Sequence, residues 1–211
     1  MPAEPSRMDL RADARHNRDR ILEAATALFA ARGIEVPMAA IARRAGVGVA
    51  TLYRRFPTRE ALVTEVFREH LATCVATIDT ALQDPDPWLG FRAFIEKVCA
   101  MNAVDRGFAA AFLTAFPHAL DFGRERARAE RGFAELVRRA KATGRLRADF
   151  ERSDLSLILM ANDGITATSA PAAVAASRRL VALLLGSFDT APAAPLPPPA
   201  PLPLYYLPVP D

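Results

Sequence analysis

The chain of 211 residues has few cysteines and few histidines, and this shortage removes several classes of protein. Its two cysteines, Cys74 and Cys99, lie within apolar helical patterns, so we expect buried free thiols in preference to a disulfide. The three histidines are scattered and lack the close His and Cys spacing of a metal site. The sequence therefore predicts no metal centre and no bound cofactor.

Long apolar runs are also missing. The first residues lack the apolar core of a secretory signal. The longest apolar runs, such as residues 180–185, are far shorter than the roughly 20 residues of a membrane span. We therefore expect a soluble, cytoplasmic protein with no membrane partner.

Patterns of catalytic residues are absent as well. The sequence contains no Gly-x-Ser-x-Gly motif of the kind that presents a nucleophilic serine. The pair Gly46 and Gly48 follows a helical pattern and not a strand, which excludes a dinucleotide-binding loop. We therefore expect the protein not to be an enzyme.

What is present is helical periodicity. Hydrophobic residues make up 51% of the chain, and no stretch alternates with the period of two that marks a strand. Gly33, Pro57 and Thr58 provide stop and start signals between the first helices. The pattern predicts an all-α protein of about nine helices, at about 17–32, 37–45, 49–56, 59–82, 88–104, 108–116, 124–143, 153–169 and 172–188.

The stretch from Ile41 to Phe56 has the pattern of a helix-turn-helix unit. A short helix, which we expect Pro37 to open, ends at Gly46, where a left-handed residue costs little. A second short helix follows, with Leu52 and Phe56 facing inward. The second helix of such a unit enters the DNA major groove, so this stretch predicts a DNA-binding protein.

The distribution of charge supports the same hypothesis. The formal net charge of +3 is weak support by itself. However, residues 36–59 contain five arginines and no acidic residue, whereas the rest of the chain is nearly balanced. Arginine forms bidentate contacts with phosphate and guanine. The basic surface therefore coincides with the helix-turn-helix.

These patterns divide the chain into four parts. Residues 1–16 are predicted to be a flexible arm, and residues 17–76 a DNA-binding domain containing the helix-turn-helix at 37–56. The long fourth helix leads into a second α-helical domain at 77–190. Residues 191–211 include nine prolines and are predicted to be an extended or disordered tail, which either docks on a groove or has no function.

Two segments carry a family resemblance. RILEAATALFAARG at residues 20–33 and IARRAGVGVATLYRRFPTREAL at residues 41–62 resemble, in order and spacing, the start of TetR family transcriptional regulators. The resemblance covers roughly residues 18–76. It implies a homodimer that binds a palindromic operator on double-stranded DNA. It also implies release of repression by a small molecule bound among the C-terminal helices.

The resemblance also implies which residues contact DNA. Val49, Ala50 and Thr51 match the positions that read base edges. Tyr53, Arg55 and Arg59 match positions that contact phosphates, and Arg54 lies on the same exposed side. Arg43 and Arg44 of the second helix either face DNA or are solvated. For Tyr53, packing on the first helix is an equal alternative.

The sequence departs from the family at two DNA-facing places. Pro37 and Met38 occupy the position where the family often has a threonine that donates to phosphate. Ala50 replaces a frequent glycine, and its methyl group suits contact with a thymine methyl. We expect any difference from the family's DNA contacts at these places.

The last two helices are the most apolar and are the predicted homodimer interface. An unknown small hydrophobic or amphipathic effector is expected between the fourth helix and the later ones. An aromatic row of this spacing is more often plain core than a binding site. The candidate ligands are four phenylalanines, a methionine and two polar anchors: Phe91, Phe94, Phe112, Phe116, Met160, His118 and Asn162.

Two alternatives to a repressor remain open. An all-α protein-interaction module that had lost DNA binding would show acidic or altered residues at 49–59, and these are intact. An activator without small-molecule control would keep the same DNA-binding motif. The sequence does not separate a repressor from an activator.

Overall fold

A computed structural model describes residues 7–105, 123–167, 169–188, 195–199 and 202. Within those ranges the chain is all-α, as predicted, and forms no strand. Eight helices follow one another: α1 (Arg7–Arg32), α2 (Met38–Ala45), α3 (Val49–Arg55), α4 (Arg59–Leu82), α5 (Pro87–Asp105), α6 (Gly123–Ala142), α7 (Arg152–Asp163) and α8 (Ala170–Phe188). The helix predicted at 108–116 lies outside the described residues.

The first helix is longer than its apolar pattern predicts. It begins at Arg7 and not near Asn17, so residues 7–16, which were predicted to be an arm before the first helix, belong to that helix. No glycine or proline occurs between Ser6 and Arg32, and arginine, alanine, leucine and methionine are good helix formers. A helix can therefore continue beyond the segment that buries apolar side chains.

The ends of α2, α3 and α4 follow from local chemistry. Pro37 precedes α2 as its N-cap and is not its first helical residue, which shifts the predicted start by one position. Gly46 ends α2 with a φ of 64°, the left-handed conformation that glycine adopts without steric cost. The Thr58 hydroxyl accepts a hydrogen bond from the Ala61 N–H at 3.0 Å and caps α4, as predicted.

Buried apolar side chains form two clusters. The N-terminal cluster joins α1, α2, α3 and the first half of α4, and the C-terminal cluster joins the second half of α4 to α5–α8. Val63 and Phe67 of α4 belong to the first cluster, whereas Val75 and Ile78 belong to the second. One continuous helix thus contributes to the cores of both regions.

Aromatic side chains fill much of the C-terminal cluster. Phe91 is fully buried between Trp88, with ring centroids 5.7 Å apart, and Phe150, at 5.4 Å. Phe94 and Phe133 pack with their ring centroids 5.4 Å apart. These contacts fix α5 against α6 and against the loop that leads into α7.

The proline-rich tail has one described contact with the rest of the chain. Residues 195–199 form neither helix nor strand, and the Leu196 N–H donates to Asp149 Oδ2 at 2.9 Å. Arg147 pairs with the same carboxylate, with Nη2 2.9 Å from Oδ2, and these interactions hold the pKa of Asp149 below its usual range. The tail therefore meets the loop between α6 and α7.

Candidate DNA-binding surface and effector cavity

The seven residues of α3 divide into a buried and an exposed side. Leu52 is fully buried, and Phe56, at the end of the helix, is 6% exposed. On the other side Val49 is 43% exposed and Tyr53 is 46% exposed. Burial of the two anchors fixes the rotation of α3, which presents the opposite side to solvent.

The polar residues predicted to contact DNA lie on this exposed side. Arg54 and Arg55 are exposed, and Arg54 Nη2 donates to Thr51 Oγ1 at 3.4 Å. Ala50 is also exposed. Tyr53 is half-exposed, so part of its ring is open to a ligand, and both predictions for this residue stay open.

The two arginines of α2 share the solvent-facing side of the unit. Arg43 and Arg44 are exposed, whereas Ile41 and Ala42 are fully buried. Position 38 is occupied by a methionine that is only 6% exposed, so Met38 serves the core at the place where the family often has a phosphate donor.

Arg59, a predicted phosphate ligand, is held within the protein. Its Nη1 donates to Glu35 Oε2 at 3.0 Å and to the Ile34 carbonyl at 3.3 Å. The Glu35 side chain is 82% exposed, and surface pairs of this kind contribute little to stability. A phosphate group would therefore have to displace only a weak partner.

Two arginines of α1 hold the helix-turn-helix and α4 in place through contacts that were not predicted. Arg20 Nη2 donates to the Gly46 carbonyl at 3.2 Å and so connects α1 to the turn between α2 and α3. Arg18 pairs with Glu65, and its Nη1 lies 3.1 Å from Glu69 Oε1, which connects α1 to α4. Nothing in the helical periodicity signals these contacts, because each joins residues far apart in sequence.

Comparison with known proteins accounts for this arrangement. The family model described as "Bacterial regulatory proteins, tetR family" matches residues 21–66, and "Transcriptional regulator SbtR-like, C-terminal domain" matches residues 86–186. A TetR transcription regulatory protein of known structure from Mycobacterium vanbaalenii is 34% identical, with 86% of this chain and 99% of that chain covered and a TM-score of 0.60. The chain belongs to the TetR family. It is a DNA-binding transcriptional regulator and not an enzyme.

Other solved structures show the same similarity. A TetR transcriptional regulator from Streptomyces coelicolor is 31% identical over 84% of this chain and 99% of its own, with a TM-score of 0.63. The regulator PfmR from Thermus thermophilus is 27% identical over 80% of this chain and 95% of its own, with a TM-score of 0.55. No curated protein matches the chain.

The C-terminal region of this TetR family chain encloses an apolar cavity of about 60 Å³ under α4. It is lined by side chains from four helices: Phe67, His70, Leu71, Cys74 and Ile78 of α4, Phe94 and Val98 of α5, Ala129 and Phe133 of α6, and Leu155 and Leu159 of α7. Burial lowers the pKa of His70, so its imidazole is neutral at pH 7. Among the lining residues that the structure describes, none carries a full charge at that pH.

The predicted effector ligands lie in different surroundings. Phe94 lines the cavity, whereas Phe91 packs within the aromatic cluster and Met160 is 46% exposed. Phe112, Phe116 and His118 lie outside the described residues. Of the four predicted ligands within the described ranges, the cavity therefore includes only Phe94.

Asn162, a predicted polar anchor, has a structural role between helices. Its Nδ2 donates to the Cys99 carbonyl at 3.0 Å, and its Oδ1 accepts from Ser177 Oγ at 2.7 Å. Both side chains are buried, and burial also raises the pKa of the Cys99 thiol to about 12. The amide thus joins α5, α7 and α8 through satisfied hydrogen bonds.

An apolar face of α7 and α8 remains exposed. Leu157 and Leu183 are 46% and 64% exposed, and small residues such as Ala175, Ala176 and Ala182 are exposed along α8. Within the described residues, Pro171–Phe188 is the one segment long and apolar enough to cross a membrane by length and composition. Only 22% of this segment is buried, which leaves most of an apolar helix facing outward.

Proposed function

We propose that this TetR family protein is a homodimeric repressor that binds a palindromic operator in the cytoplasm and is released by a small apolar effector. The observation that carries the proposal is the exposed side of α3, where Thr51, Tyr53 and Arg55 lie opposite buried anchors. Residues 49–55 of α3 include no acidic residue that would repel phosphates.

Some residues of this side would contact bases and others would contact phosphates. Val49, Ala50 and Thr51 open α3 and would reach base edges, because the N-terminal residues of a recognition helix contact bases. Tyr53 and Arg55 would contact phosphates, which supply affinity without sequence information. Arg59 would add a phosphate contact by exchanging its bond to Glu35, and Arg43, Arg44 and Arg54 would supply further positive charge.

Selection of bound DNA from a random pool tests this function directly. We expect enrichment of a palindrome whose half-sites are about 34–36 Å apart or a multiple of that distance. Arg55→Ala should weaken binding to all sequences alike, whereas Thr51→Ala should change the preferred bases. Arg92→Ala on α5 is the matched control. Failure to enrich any palindrome at moderate salt would contradict the proposal.

The exposed face of α7 and α8 supports a dimer. An exposed apolar face of this kind is normally buried against a partner. Two copies of α7 and α8 would form a four-helix bundle. Arg178 and Arg179 lie near the middle of the apolar segment of α8, which disfavours a membrane span. Leu183→Lys should convert dimer to monomer in sedimentation velocity, and Leu196→Lys, outside this face, should not. Partition of the wild-type protein into membranes would contradict this assignment.

The cavity under α4 supports an apolar effector. Its volume of about 60 Å³ is well below the roughly 150 Å³ that accommodates benzene in another protein. An effector must therefore move α4 or its neighbours in order to fit. Because α4 also packs in the N-terminal cluster, such movement would change the separation of the two recognition helices.

A cavity-filling substitution tests this coupling. Ala129 lines the cavity and is 5% exposed, so Ala129→Leu should block release by an effector while leaving operator binding intact. Ala134→Leu, at an exposed position of the same helix, is the control. A reporter gene behind the selected operator gives the readout, and higher expression with the protein than without it would favour the activator.

A further inference from the structure

A basic pocket lies next to the recognition helix, outside the helix-turn-helix. It is a cleft of about 460 Å³ between α1, the end of α3 and the first half of α4. Three arginines and one carboxylate line it, together with a threonine and two apolar residues: Arg18, Arg55, Arg68, Glu65, Thr64, Phe56 and Ala61. The described lining residues therefore carry a net charge of +2.

Glu65 organises this pocket from its centre. Its carboxylate accepts hydrogen bonds from both Arg18 and Arg68, which come from different helices. Arg18 Nη1 also donates to Glu69 Oε1 at 3.1 Å. A guanidinium has five N–H donors, so each arginine keeps donors that these bonds do not use. Asp19 Oδ1 is a third carboxylate oxygen near Arg18, 3.7 Å from its Nη1. Glu65 thus holds two arginines in position, while Arg68 and Arg55 face fewer carboxylates than Arg18 does.

The pocket is continuous with the predicted DNA-binding surface. Arg55 belongs to both, because it is an exposed residue of α3 and also lines the cleft. In α1, Arg15 is exposed one turn before Arg18. Since α1 extends back to Arg7, positions 7 and 11 fall on the same helix face as 15 and 18.

We infer that this pocket binds a phosphate of the DNA backbone when α3 occupies the major groove. The inference rests on the proposed function, and it extends the DNA interface to α1 and, beyond Arg59, further along α4. Arg18 and Arg68 are the additional ligands, and arginine forks suit the geometry of phosphate. Glu65 is a positioning residue that fixes both forks and opposes the phosphate through its own charge.

The two kinds of residue predict effects of opposite sign. Arg68→Gln removes a phosphate contact, so the slope of log K against log salt should become shallower by about one, and affinity near 0.15 M salt should fall roughly threefold to tenfold. Glu65→Gln removes a repulsive charge and should tighten DNA binding several-fold. A purely structural clamp would predict weaker binding for Glu65→Gln and an unchanged slope for Arg68→Gln.

The experiment measures binding of the full chain to the selected operator and to an unrelated duplex by fluorescence anisotropy at four salt concentrations. Arg92→Gln, on α5 in an exposed pair with Glu96, is the control for loss of one arginine. Arg68→Lys keeps the charge and should keep the slope. Thermal unfolding of each variant separates loss of folding from loss of a contact. An Arg68→Gln slope equal to that of Arg92→Gln overturns the inference.

Two further readouts separate the causes of failure. In the first, inorganic phosphate is added without DNA and thermal unfolding is measured. If phosphate stabilises the wild type but not Arg68→Gln, and Arg68→Gln leaves the slope of log K against log salt unchanged for DNA, the pocket is a site for free anions and the proposal is overturned. The unrelated duplex reports the pocket even if no palindrome is enriched. Failure of the operator selection therefore contradicts the proposed function, whereas an unchanged slope on both duplexes contradicts the pocket.

Discussion

The N-terminal and C-terminal clusters differ in how their cores are built. The N-terminal cluster uses mostly aliphatic side chains and two very short helices, whose ends are fixed by Gly46 and by contacts of Arg20. The C-terminal cluster uses longer helices with large aromatic side chains, and it encloses a cavity. The first region presents the exposed side of α3, whereas the second holds the cavity where we propose that an effector binds.

Helix α4 connects these two regions mechanically. Gly132 of α6 allows a close crossing, because a Cβ there would lie 2.6 Å from Ile78 Cγ2 of α4. Ile78 also lines the cavity. The crossing therefore lies next to the cavity, and the other half of α4 packs in the same cluster as α3.

The largest expected effects come from truncating one buried side chain in each of the two clusters. Phe133→Ala and Leu52→Ala both remove fully buried side chains, and each should lower the free energy of unfolding by about 2–5 kcal/mol. Phe133→Ala enlarges the cavity and should increase binding of an apolar dye with operator binding retained. Leu52→Ala releases α3 and should abolish operator binding. Urea denaturation and anisotropy measure the two effects, and equal loss of DNA binding would show that the regions do not separate.

Smaller effects distinguish two glycines with left-handed backbones. At Gly33 a Cβ would meet nothing within 4 Å, so Gly33→Ala should cost only the conformational strain of about 1–2 kcal/mol. At Gly46 a Cβ would lie 2.2 Å from Arg20 Nη2, so Gly46→Ala should also displace the brace between α1 and the turn. Thermal unfolding and operator affinity should both decline more for Gly46→Ala. Identical values would show that Arg20 does not hold the turn.

The smallest expected effect concerns pH and tests the deformable region. Burial lowers the pKa of His70, so the folded protein binds this proton less tightly than the unfolded chain does. The resulting stability is present above the unfolded pKa of about 6.5 and declines as pH falls toward the lowered value. His70→Gln should therefore flatten the decrease in the free energy of unfolding between pH 7.5 and 5. Parallel curves for the two proteins would contradict this role, since the other histidines are common to both.

Local signals allowed most of the N-terminal region to be predicted. Gly46, Thr58 and the spacing of Leu52 and Phe56 each act through neighbouring residues, and the structure confirms all of them. The start of α1 was missed because residues 7–16 carry no repeating apolar pattern that periodicity would reveal. The pairing of Arg18 with Glu65 was missed because it joins residues 47 positions apart.

The effector region was predicted less well for a physical reason. Periodicity identifies which side of a helix is apolar, but it does not distinguish a side chain in solid core from one that lines a cavity. Phe91 and Phe94 have the same spacing pattern, yet only Phe94 borders the empty space. His70 and Cys74 of the cavity were not predicted, because their positions on α4 matter only once α5, α6 and α7 are packed against them.

The sequence by itself determined the all-α fold, the helix-turn-helix and the residues on the outer side of α3, because these depend on capping, spacing and burial within a few turns. Tertiary structure alone decided that Arg59 is held by Glu35, that Asn162 joins three helices and that Met160 faces outward. It also decided where the cavity and the basic pocket lie. Each of these features arises where segments distant in sequence meet. A contact of that kind does not change the hydrophobic periodicity of either segment, so the sequence pattern does not reveal it.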